Sequence, residues 1–272
     1  MKAILKRSVL FFIGLPQLVT PNFIQRRADP ERFGIDDFIY NFAQKEVKKT
    51  DLVLDAGAGS FRYRSAFIHA KYESTDFDDI FDKASRNKHT FICSLDDIPK
   101  PSNTYDVVVN AQVIEHVEYP QKVVSELARI LKPGGKLFLT TPQVSQVHGA
   151  PYNYFFYTHL GLASLFKNAG LEVVFIKPRG GMFWVLGKIF SLMPKSLFYQ
   201  HAFDGFKKGI GFKPTFNHKI TSFLLIPFYV IFQIIIGYWI PFILFYLDGL
   251  DKQKDYTLGY VCYCVKKTNA SV

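Results

Sequence analysis

Cysteine is scarce: Cys93, Cys262 and Cys264 form an odd set with no Cys-x-x-Cys spacing. That excludes a disulfide framework and a zinc ribbon, and it suits a reducing compartment. Cys262 and Cys264 stand two apart, so on a strand they share one face as packing residues. Internal repeats and low-complexity tracts are missing, which excludes a solenoid or a linker-rich chain. Acids are nearly missing between Lys177 and Lys219, where eight Lys and Arg meet only Asp204, so this stretch supplies +7 of the chain's +10. From Ile220 to Leu247 charge of either sign is missing for 28 residues. A third glycine is missing from "VLDAGAGSFRYR" (53–64), where a dinucleotide fingerprint requires one at the position held by Arg62. The acid that precedes these glycines, Asp55, repels a pyrophosphate and favours a ligand with positive groups.

The length of 272 residues holds one α/β domain and an addition the size of a helical hairpin. Hydrophobic residues make up 49% and aromatics 17%, with 28 Phe and 15 Tyr, more apolar surface than one soluble core needs. Ile35, Phe38, Ile39 and Phe42 fall at helical spacing, and "TDLVLDAG" then reads as a short buried strand. "KYESTDF" (71–77), "HTFICS" (89–94) and "YDVVVNA" (105–111) read as strands two to four. Pro120 opens a helix with Val123, Val124, Leu127, Ile130 and Leu131 on one stripe, and "KPGG" (132–135) stops it before the strand "KLFLTTP" (136–142). Thr158 caps a helix bearing Leu162, Leu165 and Phe166, which Gly170 ends before the strand "LEVVFIK". Strict alternation implies a doubly wound parallel sheet with helices on both faces.

Four pieces of this chain, "LDAGAGS", "TDF", "YDVVVNAQVIEHV" and "LKPGGKLFLTTP", resemble in order and spacing the class I S-adenosylmethionine-dependent methyltransferases of type 11. The resemblance covers residues 30–178 and the final strand. It implies a Rossmann-like seven-stranded sheet whose last strand, here "DYTLGYVCYCVKK" (255–267), inserts antiparallel beside the sixth. The expected organisation is an N-terminal membrane-proximal segment (1–33), a methyltransferase domain (34–178 with 255–267), and a basic, hydrophobic helical insertion between strands six and seven (179–254). The implied cofactor is S-adenosylmethionine, which carries no phosphate and needs close backbone approach, as Gly57 and Gly59 permit. The resemblance places Asp55, Ala56, Gly57, Gly59, Asn110 and Gln112 along the cofactor. Asp76, 21 residues beyond Asp55, stands at the offset of a ribose-binding acid. Phe77 packs on adenine in this reading, with Ser94 and Leu95 beside it. The family often has an acid where this chain has Ser94, and Asp96 or Asp97 is the candidate substitute.

Methyl transfer is an in-line displacement in which positioning supplies much of the rate, and a hydroxyl acceptor gains further from a base. His116 is the first candidate for that base and His148 the second; no metal is expected. The acceptor is expected to be a small or lipid-linked molecule, methylated at oxygen. A nucleic-acid methyltransferase is disfavoured, because "NAQV" replaces the Asn/Asp-Pro-Pro-Tyr/Phe element after the fourth strand. A S-adenosylmethionine-binding protein without catalysis is the other alternative. Lys2, Lys6 and Arg7 before "VLFFIGL" and the basic stretch before the uncharged run point to the cytoplasmic face of a membrane. The final strand must rejoin the sheet, so both flanks of the run lie on one side. Pro227, Gly237 and Pro241 offer breaks for a re-entrant or in-plane helical pair.

Overall fold

The computed structural model describes residues 14–77, 88–202 and 227–268. The "VLFFIGL" run falls mainly outside them, as do Asp204 and the lysines from Lys207 to Lys219. Two compact units divide the chain, one made of Met1–Phe33 with Gly180–Tyr256, the other of Gly34–Arg179 with Thr257–Val272.

The second unit is built on a seven-stranded sheet. Its strands are β1 (Leu52–Ala56), β2 (Lys71–Asp76), β3 (Phe91–Ile92), β4 (Tyr105–Ala111), β5 (Leu131–Pro142), β6 (Leu171–Pro178) and β7 (Gly259–Lys266). They lie in the order β3-β2-β1-β4-β5-β7-β6. The first five are parallel, and β7 runs antiparallel to both β5 and β6. Alternation along the strands sorts the core into two layers. Leu54, Val108, Leu137 and Leu139 face α3 (Pro120–Ile130) and α4 (His159–Asn168) through Val123, Val124, Leu127, Leu162 and Phe166. Val53, Val107, Val109 and Phe138 face α2 (Pro30–Glu46) through Ile35, Ile39, Phe42 and Ala43. Each such side chain, fully buried, contributes roughly 1.5–3 kcal/mol. Cys262 and Cys264 share one face, lie in the first layer, and have thiols pushed up by burial.

Two element boundaries differ from the sequence reading. The third strand is only Phe91–Ile92, because it pairs with β2 at Thr75 and Asp76 alone. The fifth begins at Leu131: the backbone turns extended at that residue, which pairs with Tyr105, so the helix stops before "KPGG".

In the first unit, residues 14–19 are helical and are followed by α1 (Asn22–Ala28), α5 (Met182–Ala202) and α6 (Pro227–Leu250). Among the described residues, which resume at Pro227, the apolar run is not broken at Gly237 or Pro241. A π turn at Ile235–Trp239, with Ile240 N–H bonded to Ile235 O, shifts the ladder by one residue just before Pro241. Instead of folding on itself, α6 packs against α5. Trp184 stacks on Phe245, and Asp248 accepts bonds from the N–H groups of Gly181 and Trp184, so the acid caps the start of α5.

Candidate functional site

β1 ends in a turn of two glycines at positive φ. Gly57 has φ +87°, and a Cβ there would lie 2.4 Å from Val113 Cγ2. Gly59 has φ +51°, and a Cβ there would meet no protein atom within 4 Å. The N–H groups of Gly57 and Ala58 donate to Thr75 O at the end of β2, and Gly59 N–H donates to Asp76 Oδ2 at 2.6 Å. The glycine turn and the acid are thereby locked together. They open on a cavity of about 620 Å³, bounded also by the turn after β4 and by the loop after β5. This is the crevice at the carboxyl ends of parallel strands, beside the point where strand order reverses between β1 and β4.

Gly57, Gly59, Asp76, Phe77, Ser94, Leu95, Gln112, His116 and His148 all line this cavity. Asp96 lines it too, with Ser94 Oγ donating to its carboxylate, whereas Asp97 does not. Three residues expected along the cofactor do not line it. Ala56 is buried in the core, and Asn110 is fully buried, with its amide donating to Ala56 O. Asp55 is buried on the α2 side of the sheet and accepts the Tyr72 hydroxyl at 2.8 Å. These three shape the turn from behind. Sequence reading missed His89 and Val113 as cavity residues. The His89 ring packs at a tilt against Phe61, with centroids 4.4 Å apart, and Val113 fills the space that Gly57 leaves.

Burial pushes the Asp55 carboxyl up to about 7; the Tyr72 hydrogen bond opposes this and the Asp76 charge adds to it. For a carboxyl raised on folding, the folded state holds a proton that the unfolded chain has lost. The contribution of Asp55 to stability is therefore present below its ordinary value, 3.8, and falls away as pH rises toward about 7. Urea unfolding across this window is expected to show wild-type stability declining with pH through this group, and Asp55→Asn to remove that part of the slope. An unchanged slope in the variant refutes the assignment.

The turn Ile114–His116 is pinned from two sides. Tyr154 N–H donates to Glu115 O at 2.9 Å, and the Tyr157 hydroxyl donates to Ile114 O. His116 Nδ1–H donates to Tyr152 O, which leaves Nε2 as the acceptor nitrogen of the ring. Burial lowers the His116 pKa below the usual 6.5; the Tyr152 carbonyl opposes this, and neighbouring His148 adds to it. His148 Nδ1 likewise donates to Gln146 O, and the two imidazoles meet edge to face with centroids 4.8 Å apart. Buried Glu115 completes a cluster with both, their nearest donor atoms all within 4.8 Å of one another. A neutral imidazole backed by a second imidazole and an acid is suited to accept and pass on a proton.

The family model described as a methyltransferase domain matches residues 54–139. A Mycolicibacterium smegmatis protein named "Probable S-adenosylmethionine-dependent methyltransferase" is 40% identical over 86 residues, covering 29% of this chain and 34% of its own length. The mitochondrial ubiquinone biosynthesis O-methyltransferase of Mus musculus is 35% identical over 72 residues, covering 26% of this chain and 19% of its own. The chain thus spans 34% and 19% of the length of these relatives. Among solved structures, a geranyl diphosphate methyltransferase in complex with S-adenosylmethionine superposes with TM-score 0.50 at 13% identity, over 85% of this chain and 83% of that one. Residues 54–139, which lie in the unit formed by Gly34–Arg179 and Thr257–Val272, match a methyltransferase domain, and the fold and the relatives are those of the class I S-adenosylmethionine-dependent methyltransferases. The site fits the cofactor of that class, S-adenosylmethionine: an open face at Gly59, an acid at Asp76, and N–H groups of Gly57, Ala58 and Gly59 that donate to Thr75 O and Asp76 and so are not offered to a pyrophosphate.

Proposed function

We propose that this chain transfers a methyl group from S-adenosylmethionine to a hydroxyl oxygen of a lipid-linked or other small acceptor at a membrane surface. The observation that carries the reading is the His116 imidazole, held neutral and oriented on the same cavity as Gly57, Gly59 and Asp76. S-adenosylmethionine, when bound, supplies a methyl carbon already activated by a sulfonium. The chain then has to hold the acceptor oxygen in line and take up its proton, a task matched to Nε2 of His116. Asp76 is the group for the ribose hydroxyls, and Phe77 and Leu95 offer apolar area to the adenine. Tyr119, Tyr152 and Tyr154 line the same cavity and suit an acceptor with a ring. The relative from Mus musculus is named for O-methylation in ubiquinone biosynthesis, which supports an oxygen acceptor on a hydrophobic molecule. The exposed apolar face of α6 supports a membrane location.

The test is mass spectrometry of lipid and glycan extracts incubated with purified protein and S-adenosylmethionine. A product heavier by one methylene, paired with S-adenosylhomocysteine release, is the expected result. Cofactor binding with no shifted mass in any extract would favour a binding protein without catalysis.

A further inference from the structure

α5 and α6 form an antiparallel pair in defined register. Gly181 lies against Asp248, Trp184 stacks on Phe245, and Gly187 approaches Pro241, where a Cβ would lie 3.5 Å from Pro241 Cα. The 24 residues of α6 run for about 36 Å at 1.5 Å per residue. One side of this helix is packed: Tyr229 and Gln233 are buried, and the Gln233 amide fills the space beside Gly237. The other side carries Phe228, Ile231, Ile235, Trp239, Ile243 and Leu250, each between 45% and 71% exposed. These follow helical spacing along the full length of α6, with no charge between the first and Leu247. On α5, Met182, Leu186 and Ile189 are exposed as well.

Hydropathy alone assigns α6 as a span. Three observations oppose that orientation. α5 would have to cross with it, and α5 carries Lys188 and Lys195 in its interior. Lys188 is tied to Glu31 at 2.8 Å and to Asp29, so a polar cluster sits within the helical unit. The stretch joining the two helices carries Lys207, Lys208, Lys213 and Lys219 against Asp204, and short basic connections stay on the side that holds the cofactor.

We propose that α5 and α6 lie in the plane of one leaflet as a monotopic anchor, with the exposed stripe of α6 against the acyl chains; the basic sequence of the stretch that joins the two helices favours an anionic leaflet. This rests on the membrane part of the proposed function and fixes its orientation. An in-plane helix with a continuous apolar face sinks to the boundary between headgroups and acyl chains.

The chain has two tryptophans, Trp184 and Trp239, which makes the depth measurable. Trp184→Phe leaves Trp239 as the sole reporter on the stripe, and Trp239→Phe leaves Trp184, which is packed between Phe33 and Phe245. Vesicles of phosphatidylcholine and phosphatidylglycerol, brominated either near the headgroup or near the chain ends, serve as quenchers. The expected result is that Trp239 is quenched more strongly by the shallow bromines than by the deep ones, and Trp184 little by either. Stronger quenching of Trp239 by the deep bromines overturns the proposal in favour of a span. Absence of quenching overturns it too, and if the detergent-free protein is then a soluble dimer, the stripe is an interface between copies. Ile231→Lys with Ile243→Lys should lower vesicle partitioning by at least roughly tenfold. Calorimetric affinity for S-adenosylmethionine monitors the methyltransferase unit in every variant, so loss of the anchor is distinguishable from failure of the methyltransferase reading.

Discussion

Gly59→Val is expected to fold and to lose most of its affinity for S-adenosylmethionine. The space beside Gly59 contains no protein atom within 4 Å, so the valine side chain has room in the protein and enters the cavity instead. The residue holds φ +51°, and placing a β-branched side chain there strains the backbone by roughly 1–2 kcal/mol. That strain is present with and without ligand and cancels from the binding equilibrium. What remains is overlap with the ligand, about 1–3 kcal/mol for overpacking of a filled site, or a factor of roughly 5 to 150 in Kd. Gly57→Ala tests the other half of the turn. Its Cβ would lie 2.4 Å from Val113 Cγ2, so Val113, itself part of the cavity wall, must shift. Both variants are read by calorimetry with S-adenosylmethionine, alongside a urea melt without it. Wild-type affinity in Gly59→Val would refute the placement of the cofactor.

What could be read from the sequence follows from how local each constraint is. β1 was legible as a short apolar run stopped by Gly57, β4 by its Val107–Val109 run, and the second part of β5 as the apolar run between Gly135 and Pro142, whereas α3 was legible because Pro120 and one apolar stripe define it. Asp76 was legible by its offset from the glycine turn, and the hydrogen bond from Gly59 shows the physical reason: the acid closes the loop. The role of Asp55 was not legible, since its burial depends on Tyr72 from the neighbouring strand. His89 carried no signal either; it reaches the cavity beside Phe61, a residue held at φ +62°. The environment of His116 depends on Tyr152, and the turn that holds it depends on Tyr154 and Tyr157, all tens of residues away. The course of α6 was misread for a related reason. Pro241 looks like a break in isolation, but the π turn before it and the packing against α5 carry the helix through.

Removing the imidazole of His116 is expected to lower turnover by about two to four decades, the usual worth of a general base, while leaving cofactor affinity near wild type. His116 also tethers the loop through Tyr152 O, so His116→Ala alone would mix two effects. His116→Asn separates them. Its amide N–H can take the place of Nδ1–H toward the Tyr152 carbonyl, but it offers no basic nitrogen where Nε2 stood. If the imidazole is the base, both variants lose the same decades; if it only tethers the loop, Asn restores the rate. The wild-type pH profile gives an independent reading. Burial holds the His116 pKa below the usual 6.5, so the neutral, proton-accepting form persists at mildly acidic pH. The acid limb of kcat should fall below the ordinary histidine value, and it should vanish in His116→Asn. Chelation supplies the control, because Glu115, His116 and His148 are near enough to one another to ligate a cation. An unchanged rate with chelator leaves proton transfer with the imidazole, whereas a rate that collapses and returns with added metal would move it to a bound cation. His148→Ala is expected to cost less than His116→Ala, since its contribution passes through the ring it faces, 4.8 Å away.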